Sequence, residues 1–142
     1  MNSKLSLIII LTLTTITMKA QTENELVQTA IHQFAQAADN RDVDQLKSIL
    51  HNEFRVTLNQ MLGSTNFSVL TKESYLQMTV DGKLGGDKRT VEILSIDVTH
   101  DNAIAKVNLI GSKLTFISYY LLVKNNEGNW QLLNDLPYAS KK

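Results

Sequence analysis

Few side chains in this sequence can move a proton inside a cavity. The candidates are Asp135 and His51. Two tyrosines, Tyr75 and Tyr119, could also line a pocket, because each joins an apolar ring to one hydroxyl, a combination that orients ligands. Each residue also has a structural interpretation. His51 can be a residue favoured at a helix C-terminus, Asp135 can pair with Arg55 or a lysine, and the tyrosines can be core side chains. The residue types leave both interpretations open.

The position of Asp135 follows from strand periodicity. It lies two residues after Leu133 on the last predicted strand, and side chains at i and i+2 share a face. If Leu133 is buried, Asp135 points the same way, near the rim of any cavity beneath the sheet.

Other chemistries lack the residues they need. The chain has three scattered histidines (His32, His51 and His100) and no cysteine, whereas metal sites need clustered ligands. Gly85 and Gly86 lack the strand-before, helix-after context of a phosphate-binding loop. Fourteen basic and fourteen acidic side chains cancel, which leaves no basic surface for nucleic acid. We therefore expect no metal site, no cofactor and no nucleic-acid partner.

Residues 1–20 have the pattern of a signal peptide. Lys4 supplies a positive start, Leu5 to Ile16 is an apolar run interrupted only by Ser and Thr, and Ala20 is a small residue at the expected cut. The run is too short to span a bilayer, which predicts no permanent membrane anchor. We expect an exported protein, in the periplasm or outside the cell, whose residues 21–142 form a single domain.

Helical periodicity predicts three helices in the first half of the mature chain. The first runs from Glu23 to Asp39, a short second helix of about eight residues follows an Asp42 cap, and Thr71 caps a third that continues through Val80. Alternation from Glu53 predicts a strand between the second and third helices. Residues 81–88 hold three glycines and are predicted to be the loosest part of the mature chain.

Strands dominate the second half. Three long strands are predicted at residues 89–99, 103–110 and 114–124, and a shorter one at 130–135 is expected to end before Pro137. Helices come first and a run of antiparallel strands comes last, which predicts the α+β class.

The segment from Leu114 to Asp135 is apolar on both faces of its predicted strands. Tyr119 and Leu121 fall on one face, and Tyr120 and Leu122 on the other. A strand with two apolar faces must be covered twice. We expect helices on one face, around a concavity, and a partner subunit on the other.

This order of elements resembles the nuclear transport factor 2 fold, which ketosteroid isomerases and polyketide cyclases share. Residues 31–54 (IHQFAQAADNRDVDQLKSILHNEF) and 116–135 (FISYYLLVKNNEGNWQLLND) are most similar to the exported bacterial family of that fold named for lumazine binding. The resemblance spans about Glu23 to Tyr138. It implies a cone in which N-terminal helices pack on a curved, mostly antiparallel sheet, with a pocket at the open end and a homodimer through the outer sheet face.

The resemblance also allows a test of isomerase chemistry. Ketosteroid isomerases use a Tyr from the first helix as oxyanion donor and an Asp near the end of the first strand as base. Aligning on the Asp42 turn puts Phe34 and Leu58 at those positions, and a second acid would fall near Tyr119. Both proton-handling groups are replaced, so we do not expect isomerase activity.

The function predicted from these features is an exported, non-catalytic domain that binds a small apolar or aromatic molecule in the cone. The candidate pocket residues are Phe34, Leu58, Tyr75, Tyr119 and Asp135. Two alternatives stay open. One is a cyclase or dehydratase that uses a pocket Asp, His or Tyr, and the other is a protein-interaction module whose cone is filled by its own side chains.

Overall fold

The computed structural model describes residues 21–142, so the predicted signal peptide lies outside the described residues. The described part contains α1 (Glu23–Asn40), α2 (Val43–Ile49), β1 (Leu50–Asn59), a 3-10 turn (Met61–Gly63), β2 (Phe67–Thr71), α3 (Lys72–Val80), β3 (Thr90–Thr99), β4 (Asn102–Ile110), β5 (Leu114–Lys124) and β6 (Trp130–Lys141). None of the helices within residues 21–142 is long and apolar enough to cross a membrane.

Each helix begins at a side chain that accepts a hydrogen bond from its first turn. Thr22 and Glu25 form a reciprocal capping box at α1. Asp42 accepts from the backbone N–H of Gln45 at 3.0 Å, and Thr71 accepts from Ser74 at 3.3 Å. The caps predicted at Asp42 and Thr71 are therefore confirmed, and they fix where α2 and α3 start.

The strands form one sheet in the order β2-β1-β6-β5-β4-β3, in which β1 and β6 pair in parallel and every other pair is antiparallel. The helices cover one face, which we call the inner face. The buried stripe of α1 packs on it; its apolar members are Val27, Ala30, Ile31, Phe34, Ala35, Ala37 and Ala38. The predicted α+β class with a mostly antiparallel sheet is confirmed.

Strand β5 divides its side chains between the two faces as its alternation predicts. Tyr120 and Leu122 are buried on the inner face, whereas Tyr119 and Leu121 are 43% and 42% exposed on the outer face. The same alternation in β4 buries Val107 and leaves Ile104 exposed. The apolar residues of the outer face therefore have no cover within residues 21–142.

The predicted end of the last strand at Pro137 is wrong. Strand β6 continues to Lys141, and Pro137 pairs with Ser118 within the β5–β6 ladder. The parallel pairing with β1 stops at Asp135, so the other edge of β6 has no neighbouring strand at Pro137. A proline is tolerated in a strand at such an unpaired edge.

A bulge in β6 changes which residues face inward. Leu121 of β5 pairs with Asn134, but the next residue, Leu122, pairs with Leu132, so Leu133 is an extra residue in the ladder. Leu132 and Asp135 are both buried as a result. Asp135 faces inward as expected. The reason differs from the predicted one: the bulge and the buried Leu132 determine which residues of β6 face inward, and Leu133 does not.

Residues 81–88 are held in place and are not the loose segment that the glycines suggested. Arg41, the left-handed residue that ends α1, donates to the backbone oxygen of Leu84 at 3.0 Å and to those of Gly82 and Gly85 at 3.1 Å each. Gly85 has φ of +73°, and a Cβ there would lie 2.1 Å from the carbonyl oxygen of Ala38. The loop thus seats its backbone directly against the end of α1.

The opposite end of α1 is tied to the β5–β6 hairpin. The carboxylate of Glu23 accepts from Lys124 Nζ at 2.7 Å and from the indole N–H of Trp130 at 3.0 Å. The Lys124 ammonium also lies 5.3 Å from the Trp130 ring centroid. These contacts close the fold at the N-terminal end of α1 and leave its C-terminal end as the place for an opening.

Candidate functional site

A cavity of about 590 Å³ opens at the C-terminal end of α1, between α3, the loop of residues 81–88 and the inner face of the sheet. This volume lies in the usual range for small-molecule pockets. Most of the wall is apolar, and its main contributors are Val56, Leu58, Leu70, Met78, Leu109 and Phe116. The polar groups are few and clustered, as in sites that orient one ligand.

Asp135 lies at the floor of this cavity. It is 9% exposed, and its Oδ1 has no hydrogen-bond partner within the described chain. Burial raises the pKa of this carboxyl from 3.8 to about 7, against smaller lowering effects from the Ser118 hydroxyl and the Arg89 charge. At neutral pH the group therefore exists as a mixture of acid and carboxylate, and it can donate or accept a hydrogen bond.

Two hydroxyls accompany Asp135 on the neighbouring strand. Tyr120 pairs with Asp135 across the β5–β6 ladder, and Ser118 lies two residues earlier on the same face. Within residues 21–142, neither Ser118 Oγ nor the Tyr120 hydroxyl has a hydrogen-bond partner. Burial, with the nearby Asp135 carboxyl, raises the pKa of Tyr120 well above its usual value, so this hydroxyl stays protonated.

An ion pair joins the cavity wall to α1. The Arg89 guanidinium contacts the Asp39 carboxylate, and the backbone N–H of Arg89 donates to the same group at 2.9 Å. Both side chains are largely buried, at 15% and 11% exposure for Arg89 and Asp39. The pair brings no net charge to the cavity, and it fixes the start of β3 against the end of α1.

The mouth is built from two turns that touch each other. Asp87 accepts from the backbone N–H of Ser112 at 2.7 Å, which lowers the pKa of Asp87. A Cβ at Gly111 would overlap the same carboxylate oxygen, so any larger residue there would require the Asp87 side chain to move. Lys83 and Lys113 also line the mouth.

Three of the five predicted pocket residues lie on the cavity wall. Leu58 and Asp135 contribute from β1 and β6, and Tyr75 from α3. Burial raises the pKa of Tyr75 well above its usual value, again favouring the protonated hydroxyl. Phe34 lies behind this wall instead. It is 2% exposed, with ring centroids 6.3 Å from Tyr75 and 5.7 Å from Tyr120, so it supports both tyrosines from the core.

The placement of Tyr119 in the pocket is wrong. Its ring lies on the outer face, under the Lys106 ammonium at 5.5 Å from the ring centroid. Side chains alternate along a strand, so the neighbouring Tyr120 is the residue that points inward. The two tyrosines are adjacent and chemically alike, and only their phase relative to the helices separates them.

Two possibilities that the sequence left open for other residues are not realised. Asp135 does not pair with Arg55, whose guanidinium lies 4.0 Å from Glu53. His51 does not reach the cavity, because its Nδ1 accepts from the backbone N–H of Glu53 at 3.1 Å. Asp135 is therefore deeper and less neutralised than the sequence suggested.

The sequence reasoning missed Ser118, Tyr120, Arg89 and Asp39 as site residues. Ser118 carried a usable signal, because it is the one small polar residue on the bulky inner face of β5. The alternation of β5 predicts that Tyr120 lies on that face, but it does not indicate that Tyr120 belongs to the cavity site. Asp39 and Arg89 are 50 positions apart, and nothing in their local sequence indicates that they pair.

We predict that Asp135→Asn changes the pH dependence of stability. Between about pH 4 and pH 7 the native Asp135 holds a proton that the unfolded chain has released, because its pKa rises from 3.8 to about 7 on folding. The free energy of unfolding of the wild type should therefore fall across this range, by on the order of 4 kcal/mol at most. Asp135→Asn should not show this loss in urea denaturation at a series of pH values.

Asp97→Asn is the matched control, since it makes the same chemical change at an exposed strand position. It should leave the pH profile of the wild type unchanged. Parallel profiles for the wild type and Asp135→Asn would mean that Asp135 ionises as an ordinary surface carboxyl.

Comparison with solved structures places the fold. An NTF2-like protein of unknown function from Silicibacter pomeroyi has a TM-score of 0.70 and 14% identity, over 81% of this chain and 93% of that one. An NTF2-like protein from Cytophaga hutchinsonii has a TM-score of 0.69 and 18% identity, over 84% and 100%. A ketosteroid isomerase-like protein from Erwinia carotovora has a TM-score of 0.64 and 13% identity, over 80% and 93%. At these identities the likeness shows the fold alone.

Sequence comparison identifies the family. No curated protein matches the chain. A family profile described as "Putative lumazine-binding" matches residues 22–136, which is nearly the whole described domain. This match shows that the chain belongs to that family, and the solved structures show that its fold is NTF2-like.

Proposed function

We propose that this protein is an exported, non-catalytic domain that binds one small apolar or aromatic molecule in the cavity beside Asp135. The observation that carries the proposal is the open cavity of about 590 Å³, with an apolar wall and a small polar floor. The name of the family is a further support for a small-molecule ligand. The export part of the proposal depends on residues 1–20, and N-terminal sequencing of the mature chain tests a cut after Ala20.

A cone filled by its own side chains fits the structure less well. The aromatic cluster of Phe34, Phe54 and Tyr75 packs only one side of the space, with Phe54 and Tyr75 ring centroids 5.5 Å apart. Beyond this cluster the cavity is as large as typical ligand pockets. We therefore do not favour the alternative of a filled protein-interaction module.

A bulky residue in the cavity wall should abolish ligand binding. In a thermal-shift screen of small aromatic and apolar compounds on residues 21–142, at least one compound should raise the melting temperature of the wild type. Leu58→Trp fills part of the cavity and should remove that shift, provided that the variant shows a cooperative melt. Val69→Trp, an exposed position on the adjacent strand β2, should keep it.

Two results would count against the binding proposal. One is a screen without any stabilising compound. The other is an equal shift in the wild type and in folded Leu58→Trp, which would place binding elsewhere on the protein.

An acid–base enzyme of the cyclase or dehydratase kind is the second candidate, and one observation favours it. A carboxyl with a pKa of about 7, next to two hydroxyls in an open cavity, has the properties of a general acid or base. His51 lies outside the cavity, so this hypothesis no longer includes it. Any turnover found in the purified protein should then fall by about a hundredfold or more in Asp135→Asn, and unchanged turnover would exclude the enzyme.

We also propose a homodimer through the outer face of the sheet. Five exposed apolar side chains form an outer patch across β4, β5 and β6: Ile104, Tyr119, Leu121, Leu136 and Tyr138. They are cross-strand neighbours, since Ile104 pairs with Leu121, and Tyr119 pairs with Leu136. A contiguous apolar patch marks an interface, and a two-fold axis lets the same patch cover itself.

A charge in the outer patch should separate the subunits. Light scattering should give twice the monomer mass for the wild type and the monomer mass for Leu121→Asp. Val80→Asp is the control, because Val80 is 63% exposed at the end of α3, away from the outer patch. A wild type that is monomeric at about 100 μM would contradict the proposed dimer.

A further inference from the structure

The cavity floor holds polar atoms that nothing in the described protein satisfies. Ser118 Oγ and Asp135 Oδ1 both belong to the cavity wall, and their residues are only 1% and 9% exposed. A buried polar group without a partner costs free energy, and such groups in native proteins usually have a function. Their position at the bottom of a cavity indicates that a bound molecule supplies the missing hydrogen bonds.

The two residues are neighbours on the inner face of the sheet. They lie on neighbouring strands in the diagonal relation that brings side chains of one face together, because Asp135 pairs with Tyr120 and Ser118 pairs with Pro137. The Tyr120 hydroxyl lies behind them and is not part of the wall.

The chemistry of the two groups restricts what can satisfy both. The Ser118 hydroxyl donates one hydrogen bond, and an ionised Asp135 only accepts. A ligand hydroxyl meets both needs, since its oxygen accepts from Ser118 and its proton goes to Asp135. If Asp135 is protonated, the same ligand oxygen accepts from it, so the match holds in either state.

The charges around the cavity favour a neutral ligand. Three acids and three bases line it, namely Asp39, Asp87, Asp135, Lys83, Arg89 and Lys113. The Arg89 guanidinium is already committed to Asp39. A ligand anion would meet Asp135 at the floor without a free cation beside it, and a ligand cation would lie close to Arg89.

We propose that the cavity takes an uncharged ring compound that carries a hydroxyl, and that this hydroxyl enters first and bonds to Ser118 and Asp135. The apolar ring then lies against Leu58, Leu70, Met78 and Phe116. This inference rests on the proposed function, because it names the ligand class of the same cavity.

A matched set of ligands tests the inference on residues 21–142. Borneol is a neutral cyclic alcohol whose hydroxyl does not titrate, its methyl ether loses only the donor, and bornyl amine adds a positive charge. Calorimetry at about pH 9, where a carboxyl with a pKa of about 7 is ionised and only accepts, should show borneol binding about tenfold or more tighter than both relatives. Asp97→Asn, at an exposed position, should keep that preference.

Ser118→Ala is the variant that isolates the contact. It removes a hydroxyl without a hydrogen-bond partner in the described part of the chain, so the variant should fold normally. Ser118→Ala should weaken the binding of borneol by about threefold or more, because the ligand oxygen loses its donor. The preference for borneol over its ether should fall in Asp135→Leu, which removes the acceptor of the ligand proton, if that variant melts cooperatively. Equal binding of borneol and its ether to the wild type would overturn this inference and leave the binding proposal intact. Tightest binding of the amine would also overturn it. If none of these compounds binds and no compound in the thermal-shift screen binds either, both this inference and the binding proposal are overturned.

Discussion

The bulge residue Leu133 in β6 determines that the cavity has a carboxyl, that of Asp135, at its floor. Regular alternation from the buried Leu132 would place Asn134 inside and Asp135 in solvent. The bulge at Leu133 reverses this phase, so that Asp135 turns toward the helices and Asn134 faces out, where its Oδ1 accepts from Thr57 at 3.2 Å. Bulges are common beside functional sites because they redirect a side chain in this way.

The rest of the fold keeps the space around Asp135 open and dry. The Glu23, Lys124 and Trp130 contacts close one end of α1, whereas Arg41 and Asp39 position the loop and β3 at the other. A buried carboxyl without a hydrogen-bond partner on one oxygen lowers the stability of the native state as pH rises. The helix caps and the hydrophobic periodicity otherwise favour this same fold. A local loss of stability, such as the one at Asp135, is typical of a functional site in such a fold.

The fold could be predicted from the sequence because its signals are local. Caps at Asp42 and Thr71, helical stripes and strand alternation each depend on a few neighbouring residues. The site could be predicted only in part. A bulge has no reliable local signal, so Asp135 was placed inward through the wrong neighbour, and Tyr119 was chosen although Tyr120 points into the fold. The Asp39–Arg89 pair and the Arg41-held loop depend on contacts across more than forty positions, and a single sequence does not indicate them.

The burial of Asp135 can be measured directly. Carbon NMR of the labelled side-chain carboxyl, followed across pH on residues 21–142, reports the ionisation of this group alone. The account predicts a midpoint near the pKa of about 7 that burial imposes. A midpoint for Asp135 near the ordinary value of 3.8 would contradict it, because a carboxyl with that pKa is solvated or paired and does not lie free at a dry cavity floor.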